Sequence, residues 1–252
     1  MRVIVTRPAA QAATWVDALA GRGIDAVALP LIGIAPPADR GAVAHAWREL
    51  AGHALAIFVS PNAADEFFAM RPPAAAWPEG TIAASVGPGT TQTLMRHGVP
   101  ADRVAEPAHD STQFDSEALW QRLSHEDWRG RSALIVRGDG GRDWLADTLR
   151  AHGASVSFVA AYRRIAPDLQ GAGFGVLTEA MAQPSDHLWF FSSSEAISNL
   201  VDAQPGARWT QASAIATHPR IAQRARDCGF GVVRESAPTL EAVVACIQSI
   251  ES

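Results

Sequence analysis

The chain contains no lysine. All 21 of its basic residues are arginine, as a GC-rich coding bias would produce, but the absence still excludes chemistry. Without an ε-amino group there is no Schiff-base catalysis, no pyridoxal-phosphate anchor, no phosphate-loop lysine and no ATP-pairing kinase lysine. Cysteine is almost missing. Cys228 and Cys246 lack metal-ligand spacing and are too few for a disulfide framework in a chain this size. They read as reduced helix residues of a cytoplasmic protein. No apolar run approaches the ~20 residues that span a bilayer. The start, Met1 to Pro8, runs straight into a strand and lacks the apolar stretch of a signal peptide, so no membrane association is expected. Positive charge is in deficit: a net charge of −5 argues against non-specific nucleic-acid binding. The eight histidines show no metal pattern: His45 and His53 are too far apart for one helix face, and no H-E-x-x-H occurs.

What is present is a chain written twice. Val5-Thr6-Arg7-Pro8 recurs as Ile135-Val136-Arg137-Gly138, and Phe58-Val59-Ser60-Pro61-Asn62-Ala63 as Phe191-Ser192-Ser193-Ser194-Glu195-Ala196. The stretch from Ala84 through Gly98 is matched by Ile215 through Gly229, and Val104-Ala105-Glu106 by Val233-Arg234-Glu235. Every match lies about 130 positions downstream. With 252 residues, 48% of them hydrophobic, two ordinary α/β domains fit. Two similar lobes facing each other make a cleft, and clefts are where small molecules bind.

Each copy opens as strand–helix–strand, over about 2–34 and 131–163. Three strand–helix units follow each: about 54–69, 81–97 and 103–123, then 187–201, 211–228 and 231–249. Such alternation predicts α/β lobes with parallel sheets flanked by helices. Prolines at Ile34-Ala35-Pro36-Pro37 and Ile165-Ala166-Pro167 mark exits. The favoured partition is therefore crossed: residues 1–35 with 167–252 form a discontinuous lobe, and 38–163 a continuous one. Extended linkers occupy about 34–38 and 163–167. Two sequential halves are the rival partition.

Open α/β sheets bind ligands beyond the carboxyl ends of their strands, so the loops after strands carry the functional reading. Ser60-Pro61-Asn62-Ala63, Ser192-Ser193-Ser194 and Val86-Gly87-Pro88-Gly89-Thr90-Thr91 each place backbone N–H groups at a helix start. Each suits an anion, although ordinary capping explains any one alone. Arg137-Gly138-Asp139-Gly140-Gly141-Arg142 resembles a phosphate loop but lacks the dinucleotide order. Its arginines, and Arg7 at the matching place, suit carboxylates. His218 lies in a cleft-type loop. Tyr162, the sole tyrosine, ends a strand at the hinge, where a phenol could protonate a leaving hydroxyl; a half-buried strand aromatic is the alternative. Trp15 and Trp144, at helical spacing with leucines, are expected in the core.

Val5-Thr6-Arg7-Pro8, Phe58 to Ala63, Ser85-Val86-Gly87-Pro88-Gly89-Thr90, Leu134 to Gly138 and Ala161-Tyr162-Arg163, in this order and spacing, resemble the uroporphyrinogen-III synthase family over nearly the whole chain. The resemblance implies two α/β lobes, the first discontinuous, joined by two extended linker strands. It implies an enzyme of heme and siroheme biosynthesis that uses neither cofactor nor metal. The enzyme closes hydroxymethylbilane, a linear tetrapyrrole polycarboxylate, with loss of water and inversion of the last ring. By the same resemblance, Tyr162 matches the tyrosine that helps the hydroxyl leave. Ser60, Asn62, Gly87 and Thr90 match substrate-contacting loops of the continuous lobe, and Ser193 the facing loop. Where the family has a glycine–proline–threonine-like loop, this chain has Thr217-His218-Pro219-Arg220-Ile221, so Thr217, His218 or backbone amides take that place. Arg137 and Gly138 complete the expected contacts, in a monomer. A two-lobed polyanion-binding protein without turnover is the alternative, and a glycosyltransferase-like enzyme a third reading.

Overall fold

A computed structural model describes residues 1–108, 111 and 114–251. They form two compact units, Met1–Gly33 with Ile165–Ser252, and Ile34–Arg164. The chain runs β1 (Arg2–Val5), α1 (Ala9–Ala20), β2 (Ala26–Ala28), β3 (Gly33–Ala35), α2 (Arg40–Glu49), β4 (Leu55–Phe58), α3 (Pro61–Ala69), β5 (Ile82–Ser85) and α4 (Pro88–Arg96). It continues through β6 (Val104–Ala105), α5 (Ser116–Leu123), β7 (Ser132–Gly138), α6 (Trp144–Ala151) and β8 (Ser155–Ile165). After these come α7 (Ala172–Ala182), β9 (His187–Phe191), α8 (Ser194–Ala203), β10 (Ser213–Ala216), α9 (Pro219–Asp227), β11 (Val232–Glu235) and α10 (Leu240–Glu251).

The duplication is visible in the strand order. One sheet reads β11-β10-β9-β1-β2 and the other β6-β5-β4-β7-β8-β3. Taken strand for strand along the repeat, the first five places correspond. The ladders β1–β2, β1–β9, β9–β10 and β10–β11 are parallel, as are β4–β5, β4–β7, β5–β6 and β7–β8. Parallel strands covered on both faces are apolar along their whole length. Accordingly Val3, Ile4 and Val5, Leu55 through Phe58, and Leu188 through Phe191 are all buried. In the Ile34–Arg164 unit the core is an aromatic stack of Phe58, Phe67, Phe68, Trp47 and Trp77. In the other, Trp189, Phe191, Trp209 and Phe230 pack together.

The run expected as one strand to residue 34 is two, β2 and β3, because Pro30 interrupts it; the second strand joins the other sheet beside β8. Two helices were not anticipated. Asp39 caps α2 by accepting from the Ala42 amide at 3.1 Å, and α7 is rich in alanine and glycine, which hides its period. Trp144 is not in the core. It is the first residue of α6 and 39% exposed, since the first turn precedes the face that Leu145 and Leu149 bury. Trp15 does pack against the core of its unit. Among the described residues no helix is long and apolar enough to cross a membrane.

Candidate functional site

In each sheet the chain order reverses at one place. Between β4 and β7 the connections depart in opposite directions, through α3 toward β5 and through α6 toward β8. Between β9 and β1 the other sheet does the same. Such a switch point leaves a crevice beyond the strand ends, the usual ligand position in open α/β sheets. Both switch points carry residues singled out from sequence.

In the Ile34–Arg164 unit, Ser60 follows β4. Its hydroxyl caps α3 by accepting from the Ala63 amide at 3.1 Å, with Pro61 at the first helical position. The same oxygen lies 3.3 Å from the Tyr162 hydroxyl. Tyr162 reaches it because the β7–β8 register slips between Arg137 and Gly138, which sets Gly138 opposite Tyr162. A Cβ on Gly138 would stand 3.0 Å from Tyr162 Cζ and 3.3 Å from its hydroxyl. Glycine is therefore what lets the ring lie against the strand. Tyr162 is only 4% exposed, its ring in the hydrophobic core and its hydroxyl at the strand ends. Ser60, Gly138 and Tyr162 thus meet at one point. Asn62 is half-buried in the first turn of the same helix.

Gly87 stands at the start of α4, one strand further along, with Thr90 buried in its first turn. Behind this turn runs a chain of hydroxyls that the sequence did not suggest. Thr91 donates to Glu106 Oε2 at 2.6 Å, which leaves the Ser85 hydroxyl to donate to Thr91 at 2.7 Å. Only folding brings β5, α4 and the end of β6 together, so no local pattern announces it.

Beside these lies an open cavity of about 250 Å³ lined by Val59, Val86, Phe114, Arg137, Gly141 and Arg142, with other residues of the same loops. Gly141 has φ 153°, a conformation that favours glycine. Arg137 lies over the Phe158 ring, 4.0 Å from its centroid, and pairs with Asp143 at 2.6 Å. Arg142 makes a forked pair with Glu117, at 2.5 and 2.9 Å. Glu117 holds that guanidinium above its ordinary basicity, chiefly through this hydrogen bond.

In the other unit, Arg7 follows β1 and Ser193 follows the adjacent β9. Ser193 caps α8 by accepting from the Glu195 amide at 3.2 Å. His218 caps α9: its Nδ1 accepts from the Arg220 amide at 3.1 Å, so the proton of the neutral ring sits on Nε2. The Thr217 amide donates to the Phe191 carbonyl at 3.1 Å. Arg7 is set apart by its surroundings. Its Nε is closed to solvent without a hydrogen-bond partner, and burial lowers the guanidinium pKa to about 10.

A family model described as uroporphyrinogen-III synthase HemD matches residues 13–245. The chain is 31% identical over 173 residues to the uroporphyrinogen-III synthase of Salmonella typhimurium, covering 68% of each protein. The same figures hold for that of Escherichia coli. Among solved structures, it is similar to a mutant uroporphyrinogen III synthase of Thermus thermophilus (TM-score 0.60, 16% identity, covering 100% of this chain and 99% of the other). It is also similar to the uroporphyrinogen-III synthetase of Helicobacter pylori (TM-score 0.58, 14% identity, 99% and 100%). At those identities the structures speak for the fold.

Proposed function

The chain belongs to the uroporphyrinogen-III synthase family, and we propose that Tyr162 assists hydroxyl departure as the enzyme closes hydroxymethylbilane. The enzyme is a cyclising lyase of tetrapyrrole biosynthesis. The observation that carries the proposal for Tyr162 is its meeting with Ser60 and Gly138 at the switch point. Ser60 accepts from the Ala63 amide, and its own proton can be given to the phenol oxygen. The phenol proton is then available to a departing hydroxyl, as general-acid assistance requires. Water leaves and an azafulvene cation remains, for which no protein nucleophile is needed. The last ring attacks through its substituted carbon, and the spiro intermediate fragments and recloses with that ring inverted. The rest of the enzyme's task is orientation, holding the chain so that this closure outruns simple head-to-tail joining.

We assign Ser60, Asn62, Gly87, Thr90 and Gly138 as substrate contacts in one unit, with Arg137 as a cation for a substrate carboxylate. Ser193, Thr217 and His218 supply contacts in the other. Helix starts suit this role because their amides and dipole favour anions. We also read the protein as a cytoplasmic monomer that binds no nucleic acid, supported by two unpaired thiols and a net charge of −5.

The test supplies freshly generated hydroxymethylbilane, oxidises the product and resolves the porphyrin isomers. Isomer III is expected to predominate over the no-enzyme control; isomer I alone from folded protein would refute the reading. Tyr162→Phe is expected to lower turnover by about 10²-fold, the lower end of what acid–base assistance supplies. Full turnover in that variant, with isomer III retained, would remove the role of the phenol.

A further inference from the structure

Arg7 stands at the switch point of its sheet and carries a charge that nothing in its unit neutralises. Its guanidinium folds back along the first turns of α1. Nη1 donates to Gln11 Oε1 at 3.4 Å, and Cζ lies 4.8 Å from the Trp15 ring centroid and 5.6 Å from that of Phe190. Nε has no partner and no contact with solvent. Among the described residues no carboxylate pairs with it, and desolvation lowers its pKa. It remains a cation at neutral pH. A half-buried charge without a counter-ion is costly, and stacking on two aromatic rings offsets only part of that.

An uncapped helix start lies alongside. α1 begins at Ala9 with Pro8 in the capping position, and no side chain caps it. The exposed amides of Ala9 and Ala10 therefore have no side-chain cap of the kind that Ser60, Ser193 and His218 give their own helices. Arg7 and the uncapped start of α1 at Ala9 are separated only by Pro8, and one anionic group at this corner would serve both the guanidinium and the amides.

We propose that Arg7 and the first turn of α1 form a seat for a single carboxylate of the ligand. Only the identity of the physiological carboxylate, an acid side chain of the tetrapyrrole, rests on the synthase reading.

A structural arginine and a ligand seat predict opposite outcomes for Arg7→Met. If Arg7 supports the fold, the variant melts below the wild type. If it awaits an anion, removing the uncompensated charge leaves the free protein as stable or more so, while ligand binding weakens. The experiment uses the full chain labelled with 15N. The Arg7 Nε–Hε resonance is identified by its loss in Arg7→Met and followed while tricarballylate is added. A saturable shift is expected. With hydroxymethylbilane, Arg7→Met is expected to raise KM by about tenfold or more, the loss of one charged hydrogen bond. The fall in kcat should be smaller, and Arg7→Lys should lie between, because lysine restores charge without the fork. An unmoved resonance, or Arg7→Met melting several degrees low with KM unchanged, overturns the proposal. If the wild type makes no isomer III, the synthase reading fails, and the resonance titration still decides whether the seat exists.

Discussion

Gly138→Ala is the sharpest perturbation of the site that removes no functional side chain. The added methyl would stand 3.0 Å from Tyr162 Cζ, 3.1 Å from Cε2 and 3.3 Å from the hydroxyl oxygen. Carbon atoms settle at about 3.5–4.0 Å, so the ring must retreat by roughly 0.5 Å. It has little room, since it packs in the core with Phe58, Val136 and Val159. Inserting a methyl into such packing costs about 1–3 kcal/mol, which lowers Tm by roughly 2–12 °C in a protein of this size. The same retreat carries the hydroxyl off Ser60, whose 3.3 Å contact is already near the limit of a hydrogen bond. A misplacement of about 1 Å can cost 10²-fold in rate, so half of that corresponds to about tenfold. Thermal melts and the isomer III assay on the same preparation measure both quantities. The double variant Gly138→Ala, Tyr162→Phe should keep the stability loss while adding little to the rate loss of Tyr162→Phe alone, because both act through one hydroxyl. Wild-type melting together with wild-type turnover in Gly138→Ala would refute the reasoning.

Two further outcomes follow from charge and mass. Burial lowers the pKa of His53, against a smaller upward pull from Glu49, so the folded protein binds this proton less readily than the unfolded chain. Stability from this residue is therefore intact above the unfolded value of about 6.5 and declines as pH falls below it. Comparing melts of the wild type and His53→Gln at pH 7.5 and 5.5 should show the wild type losing more; equal losses would sink the assignment. Light scattering after size exclusion should return the monomer mass of 26.7 kDa, and a doubled mass would displace the monomer reading.

The fold was readable from sequence where it is periodic. Val3 through Val5, Leu55 through Phe58 and Leu188 through Phe191 are apolar because parallel strands are covered on both faces, and their spacing carried the duplication directly into the strand order. Helices without contrast between their faces, such as α7, gave no comparable signal. The site was readable as loops but not as contacts. Ser60 and Tyr162 are 102 residues apart, and their meeting depends on a register slip in β7 that no residue pattern marks. Arg7 could be named as a candidate from its place after a strand. That it is half-buried without a counter-ion is set by Trp15 on α1 and Phe190 on β9, which only the packed unit brings to it. Trp144 shows the converse: a large apolar residue at helical spacing was left exposed by its place at the start of the first turn.

The interrupted unit sets an order of events during synthesis. Residues 34–164 leave the ribosome as one uninterrupted stretch and have every partner they need once β8 emerges. β1 does not. Val3, Ile4 and Val5 must pair with Leu188, Trp189 and Phe190 of β9, which appear only after some 180 more residues have been made. At ~5–20 residues per second, a nascent hydrophobic strand waits on the order of 10–40 s for its central neighbour, with β2 as its only ladder. Closure of the inserted unit shortens no part of that interval. It does keep its own apolar strands, β4 and β7 among them, out of reach while the first strand waits.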